Sequence, residues 1–355
     1  MISTTAPATR GDASAMKRAV RPSTPADAAA ITALFVQRGM HGNFDPEYLG
    51  WKYWRPRADW LGPRSFVIAS GRELIAHAAI IPGTCAWGAR RITILHVIDW
   101  VAVRGSGVGI MVMKHIGQLA DALLAIGGGA ETQSILPYVG FRPIGAATGY
   151  ARPLFPLRLL RSGATWKLLP RLARAAWRRS APAARDADWQ ARRLAGDELS
   201  QITSVLPVPA HGTAVTERSV GLFRHVQSCP TVPMQLYAVE RAGRVRGYFL
   251  LASVSGQARI ADCWMDSDES ADWRALILCA VEEAKHDPQA AEIVIWASDP
   301  LLAGALQACG FRARFQSLIQ VRPTDSDTMP EGTLRVQMLD NDAAFLSEGR
   351  NEYWG

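Results

Sequence analysis

Apolar residues along this chain fall into two patterns: short runs rich in β-branched and aromatic residues, and longer segments with apolar positions three and four apart. In the first half they predict a strand at 19–22, a helix at 25–37, a helical segment from Pro46 to Trp54, and strands at 65–70, 73–82 and 91–103. A helix at 108–122, a short strand at 123–127, a helical turn at 132–138 and a strand at 141–151 follow. Ala19-Val20-Arg21-Pro22 leads into Thr24-Pro25-Ala26-Asp27, a strand entering a capped helix. The second half predicts the same order, with strands Pro233–Glu240, Val245–Val254 and Ala258–Trp264, helix Ala271–Lys285, strand Glu292–Ala297, helix Leu301–Ala308 and a strand ending at Val321. The turn Val139-Gly140-Phe141-Arg142 returns as Cys309-Gly310-Phe311-Arg312, 170 residues later, so an internal duplication is the simplest account. The expected fold class is α/β, a mixed and largely antiparallel sheet flanked by helices.

Between the apolar run Ile92–Val103 and the helix that starts near Val108 lies Arg104-Gly105-Ser106-Gly107-Val108-Gly109. Three glycines remove the side chains that would hold an anion off the backbone, and the next helix offers free N–H groups at the positive end of its dipole. A plain glycine turn would look the same. The spacing differs from Gly-x-Gly-x-x-Gly, and no acidic ribose partner sits at the right distance, so a dinucleotide site is disfavoured.

The Arg-x-x-Gly-x-Gly pattern after a long strand resembles the acyl-CoA pyrophosphate loop of the GNAT superfamily of N-acetyltransferases. Leu136-Pro137-Tyr138-Val139-Gly140-Phe141-Arg142-Pro143-Ile144-Gly145 is similar to that superfamily's last helix turning into a strand. The resemblance implies acetyl-CoA as cosubstrate, with Val101 and Val103 along the pantetheine arm and Arg104, Gly105, Ser106, Gly107, Val108 and Gly109 around the pyrophosphate. It implies two GNAT-like domains in tandem: a tail at 1–17, an acyl-CoA-binding domain at 18–151, a linker at 152–190, a second domain at 191–322 and an extension at 323–355. The second copy is degenerate, because Met265-Asp266-Ser267-Asp268-Glu269-Ser270-Ala271-Asp272 stands in place of the glycine loop and its carboxylates would repel a pyrophosphate. As an ordinary loop, that run would cap the next helix with Asp268 or Ser270.

Acyl transfer to an amine needs a group that takes a proton from nitrogen. His96, on the strand before the loop, titrates in a suitable range, although a lone histidine on an apolar strand is more often a core residue. Asp99 lies three residues on and points to the opposite face unless a bulge intervenes. Glu131, after Gly127-Gly128-Gly129, is the other candidate base, or else a first-turn carboxylate favoured by the helix dipole. The superfamily's usual thiolate-protonating Tyr falls at Leu136. Tyr138 takes that role only if the helix ends soon after Pro137. The segment Glu47-Tyr48-Leu49-Gly50-Trp51-Lys52-Tyr53-Trp54 resembles one in tandem GNAT proteins of bacterial polysaccharide and envelope gene neighbourhoods. Tyr48 and Trp51 at helical spacing suit either sugar stacking or core packing.

The 355 residues exceed the reach of one ordinary core, and the longest apolar run is interrupted by His96 and Asp99, too short to span a bilayer. The first 17 residues do not form a secretory signal, and Cys85, Cys229, Cys263, Cys279 and Cys309 form no metal-binding pair, so a reduced, cytoplasmic setting is expected. The formal charge of +7 is local: Arg152, Arg158, Arg161, Lys167, Arg171, Arg174, Arg178 and Arg179 occur between 152 and 179 with no Asp or Glu. Lys167, Arg171, Arg174 and Arg178 share a helical face beside Trp166 and Trp177, which suits either docking on the protein itself or peripheral contact with an anionic membrane. No nucleic-acid partner is expected. The expected function is transfer of an acetyl or acyl group to a small-molecule or sugar amine. The alternatives are an aminoacyl transferase of the tandem GNAT-like cell-wall type and a non-catalytic acyl-CoA-binding scaffold or sensor.

Overall fold

A computed structural model describes residues 19–40, 42–87, 89–155, 158, 186–209, 212–325 and 332–346. The tail at 1–17 and most of the basic linker, including Trp166, Lys167, Arg171, Arg174, Trp177 and Arg178, lie outside the described residues. Arg152 and Arg158 are described, and each spends its charge on carbonyls of the second half, Arg152 on Cys309 O at 2.8 Å and Arg158 on Ala290 O at 3.0 Å.

The first half carries β1 (Val20–Pro22), α1 (Ala28–Gln37), α2 (Pro46–Leu49) running into a wide turn at Gly50–Trp54, β2 (Ser65–Ser70), β3 (Glu73–Trp87) and β4 (Arg90–Ala102). Then come α3 (Val108–Ile116), β5 (Ala122–Ile126), α4 (Ala130–Ile135) and β6 (Arg142–Pro153). The second half carries β7 (Trp189–Leu194), β8 (Thr213–Thr216), α5 (Val220–Gln227), β9 (Met234–Arg241), β10 (Arg244–Val254), β11 (Gln257–Met265), α6 (Ser270–Lys285), β12 (Glu292–Ala297), α7 (Pro300–Ala308) and β13 (Arg312–Pro323), followed by β14 (Thr333–Arg335). Among the described residues these strands form one sheet, in the order β1-β2-β3-β4-β5-β13-β6-β12-β11-β10-β9-β7 with β8 and β14 off that path.

The two halves are joined by exchange of their last strands. β13 returns to pair with β5, while β6 pairs with β12, and the two lie antiparallel to each other. Each exchange follows a helix ended by a left-handed glycine, Gly140 at φ +91° and Gly310 at φ +83°, with Phe141 and Phe311 buried just beyond.

α3 stops at Ile116 rather than near residue 122, because Asp121 turns the chain back to the sheet. Its amide donates to Thr93 O at 3.1 Å and its carboxylate accepts from Thr93 N at 2.7 Å, which sets β5 beside β4. Val108, Val112, Met113 and Ile116 form the buried face of α3 against Phe66, Leu95 and Leu123. The cap of α6 also differs from expectation. Neither Asp268 nor Ser270 caps it: Glu269 occupies the cap position without a side-chain bond, and Ser267 anchors the turn through Glu269 N at 3.1 Å and Trp273 Nε1 at 2.8 Å. All five cysteines are buried and none forms a disulfide, and burial pushes Cys309 up to about 11, so they are packing thiols.

Candidate functional site

β4 and β5 run parallel over only three positions, ending at His96 opposite Leu124, and then diverge. The divergence opens a cleft that holds two adjoining cavities. The outer one, of about 1160 Å³, is walled by Val101, Val103, Arg104, Gly105, Gly107 and Gly109 together with Glu131 and Tyr138. The inner one, of about 600 Å³, reaches His96, Asp99, Arg259 and Asp342, and the two share Met40, Trp100, Gly129 and Thr132 in their walls.

The glycine loop forms the floor of the outer cavity. Gly105 and Gly107 have φ of +69° and +68°, and a Cβ on either would meet nothing within 4 Å. Gly107 sits at the N-cap of α3, where the amides of Val108 and Gly109 have no carbonyl ahead of them in the helix and Ile110 N bonds Gly107 O at 3.1 Å. Gly109 serves a different purpose: a Cβ there would come within 3.0 Å of Ala102 Cβ, so glycine lets α3 lie close on β4. Val108 is fully buried beneath the loop and Ser106 turns back onto Val103 O, so these two predicted contacts do not line the cavity. Arg104 lies at the rim, paired with Glu131 at 3.0 Å.

The three candidate chemical groups are not together. Glu131 and Tyr138 stand on the outer rim, and Tyr138 is 89% exposed on the short turn that follows α4. His96 lies in the inner cavity, 3% exposed, and its Nδ1 has no hydrogen-bond partner among the described residues. Burial lowers its pKa to about 4, against smaller upward pulls from Asp340 and Asp99, so the ring is neutral near pH 7 but a weaker base than the near-neutral titration expected from the sequence.

A bulge does intervene in β4. His77 pairs with Val101 and Ala79 with Ile98, so Asp99 and Trp100 together face Ala78. Asp99 takes the left-handed conformation, φ +50°, which strains a residue with a Cβ. His77 holds this backbone through Nδ1, which must carry its proton because it bonds the Asp99 carbonyl at 3.0 Å. Nε2 then accepts from Ser65 Oγ at 2.9 Å. Burial depresses His77 to about 4, with Asp99 opposing, so protonation would break this arrangement. Between the ordinary histidine value near 6.5 and about 4 the unfolded chain binds a proton that the folded chain refuses, so stability falls as pH falls through that window. For His77 the expected loss from pH 6.5 to 5 is about 2 kcal/mol. Urea denaturation across that range should show His77→Gln flattening the dependence by about this amount, and parallel curves for the two proteins would refute it.

Sequence reasoning missed the ionic cluster beneath the bulge. Lys52 Nζ lies 2.6 Å from Asp99 Oδ2 and 3.0 Å from Asp342 Oδ2, and Tyr53 donates to Asp99 Oδ2 at 2.7 Å. Burial alone would lower Lys52, but Asp99, Tyr48 and Asp342 together hold it well above its usual value. Asp99 is held below the carboxylate range: burial raises it and Lys52 overcomes that. Burial pushes Asp342 up despite Lys52, with Asp99 adding to the rise. Tyr48 and Trp51, for which stacking on sugar was weighed, are both 1% exposed in the core, with Trp51 Nε1 on His225 O at 2.9 Å.

The second half has the same split, since β11 and β12 pair in parallel only as far as Ile260 and Ile295. Its own chain fills it. Gln337 bonds both Cys263 N and Cys263 O, at 2.8 and 2.7 Å, three residues past the last pair, as Asp99 is past His96. Ser298 Oγ ties Leu334 O and Val336 N at 2.8 Å each, and Arg335 lies over Trp264 and Trp273 while pairing with Asp299 at 2.9 Å.

No protein-family model matches the sequence, and no curated protein matches it significantly. Solved structures do. A GCN5-related N-acetyltransferase from Anabaena variabilis superposes with a TM-score of 0.55 at 15% identity, over 86% of this chain and 73% of its own. A Saccharomyces cerevisiae N-myristoyltransferase with bound myristoyl-CoA and inhibitors gives 0.60 at 14%, over 93% and 85%. A tandem GNAT protein from the clavulanic acid biosynthesis pathway gives 0.55 at 12%, over 86% and 98%. The chain has the GNAT fold, built as two GNAT-like units.

Proposed function

We propose that this protein transfers an acetyl or other short acyl group from acyl-CoA to the nitrogen of a small amine. The observation that carries the reading is the juxtaposition of the two cavities, whose walls share Met40, Trp100, Gly129 and Thr132: a glycine cradle at a helix N-terminus lies beside a chamber with polar and charged groups in its wall, where β4 and β5 part. Acyl-CoA would supply the thioester, whose acyl carbon bonds the nitrogen as the C–S bond breaks and CoA leaves as the thiol. The amides of Gly105, Gly107 and Gly109 would hold its pyrophosphate, with Arg104, paired with Glu131, adding charge at the rim. His96 Nδ1 would accept the proton that nitrogen loses, since the ring is neutral, Nδ1 has no partner among the described residues, and the residue lines the inner chamber. Glu131 and Tyr138 have no role in proton transfer in this reading, because both stand outside the chamber.

Two outcomes are expected from titration calorimetry with acetyl-CoA. The stoichiometry is one per chain, because residues 334–337 fill the second split. Gly107→Val lowers affinity at least roughly tenfold, since a branched side chain projects into the cavity where the anion would lie. Gly71→Val is the control, with the same backbone strain at φ +65° and the same open surroundings in the β2–β3 turn, away from the cleft. Unchanged affinity in a folded Gly107→Val protein, or two equivalent sites, would overturn the reading.

A further inference from the structure

We infer that the inner chamber selects its acceptor as a cation: a small primary amine with no carboxylate or phosphate beside the nitrogen, docked against the free edges of Asp99 and Asp342. This rests on the acyl-transfer reading for the word acceptor, but the cation site stands on its own geometry. Lys52 is one positive charge shared by two carboxylates, and it bonds only Oδ2 of each. Among the described residues no other side chain bonds Oδ1 of Asp99 or of Asp342. The side chains of Asp99 and Asp342 are 12% and 14% exposed against 5% for Lys52, and both aspartates line the inner chamber while Lys52 does not.

The other charged group in the wall is Arg259. It donates to the carbonyls of Ala343 and Leu346 at 2.8 and 2.7 Å and to Gln257 Oε1, and the Gln257 amide nitrogen in turn bonds the buried Glu292 at 2.7 Å. Lys52 is thus a single cation bonded to two carboxylates that both line the chamber. The second, independent sign of a ligand is His96 Nδ1, a buried acceptor without a partner in the same wall. An ammonium group answers both observations, since it brings one positive charge and several N–H donors. An α-amino acid would bring a carboxylate against Asp99 and Asp342 together with its ammonium.

The test uses the full-length protein and three amine pairs that differ only by a carboxylate: tyramine and tyrosine, histamine and histidine, ethanolamine and serine. Binding is measured by calorimetry without cofactor and again with saturating CoA, so no turnover is needed, and CoA release from acetyl-CoA is followed in parallel. The decarboxylated member of each pair is expected to bind at least roughly tenfold tighter, and Asp342→Asn, which leaves Lys52 its Asp99 partner, is expected to remove most of that preference. Equal binding within the pairs, a preference for the amino acids, no binding by any amine, or a preference unaltered in Asp342→Asn each overturns the inference. Cation preference without acetyl-CoA affinity would instead overturn the acyl-transfer reading and leave the cation site in place.

Discussion

A His96→Ala protein is expected to acylate its amine roughly 10²–10⁴-fold more slowly while binding acetyl-CoA as tightly as the parent. The loss follows from position. His96 is the last β4 residue paired with β5, so its ring lies where the strands part, and burial keeps that ring neutral with Nδ1 free. Glu131→Gln and Tyr138→Phe should each change the rate by no more than a few-fold, because neither side chain reaches the inner chamber. His96→Gln separates packing from chemistry: it keeps a polar side chain of similar length but supplies no basic nitrogen, so it should fold like the parent and remain slow. Full activity in a folded His96→Gln protein would assign proton removal to water or to another group.

The elements and the cradle were readable because each is written locally. Gly105, Gly107 and Gly140 mark left-handed positions that other residues tolerate poorly, and the apolar faces of β3, β4 and α3 repeat at strand and helix periods. The repeat of Gly-Phe at 140 and 310 pointed to two units, and the structure has a left-handed glycine followed by a buried phenylalanine at both. What sequence could not reveal is which half each final strand joins, since β6 and β13 satisfy the same antiparallel pattern in either place. The bulge at Asp99 was equally hidden, because its cause is His77, a residue on the neighbouring strand.

The ionic cluster was missed for a related reason. Lys52 follows Trp51 in a segment whose aromatic spacing dominates its reading, and its partners lie far along the chain, Asp99 on β4 and Asp342 290 residues on. One signal was present in the chain: a lysine inside an aromatic run that the fold buries must find a carboxylate, and Asp99 was the odd charge in the apolar strand before the cradle.

Lys52→Met is therefore expected to destabilise the protein by about 3–5 kcal/mol, since it leaves two carboxylates buried beside each other without a counter-charge. The consequence is local as well as global. Lys52 joins three separate pieces of chain: the wide turn after α2, the bulge of β4, and the segment around Asp342 that walls the inner chamber. Adding Asp342→Asn removes one of the stranded charges, so the double variant should be more stable than Lys52→Met alone, or destabilised by less than the sum of the single changes by about 1–3 kcal/mol. Denaturant unfolding of the four proteins measures this coupling directly. Strict additivity would mean that Lys52 and Asp342 do not sense each other, and the chamber wall would then have to be held by the carbonyl contacts of Arg259 alone.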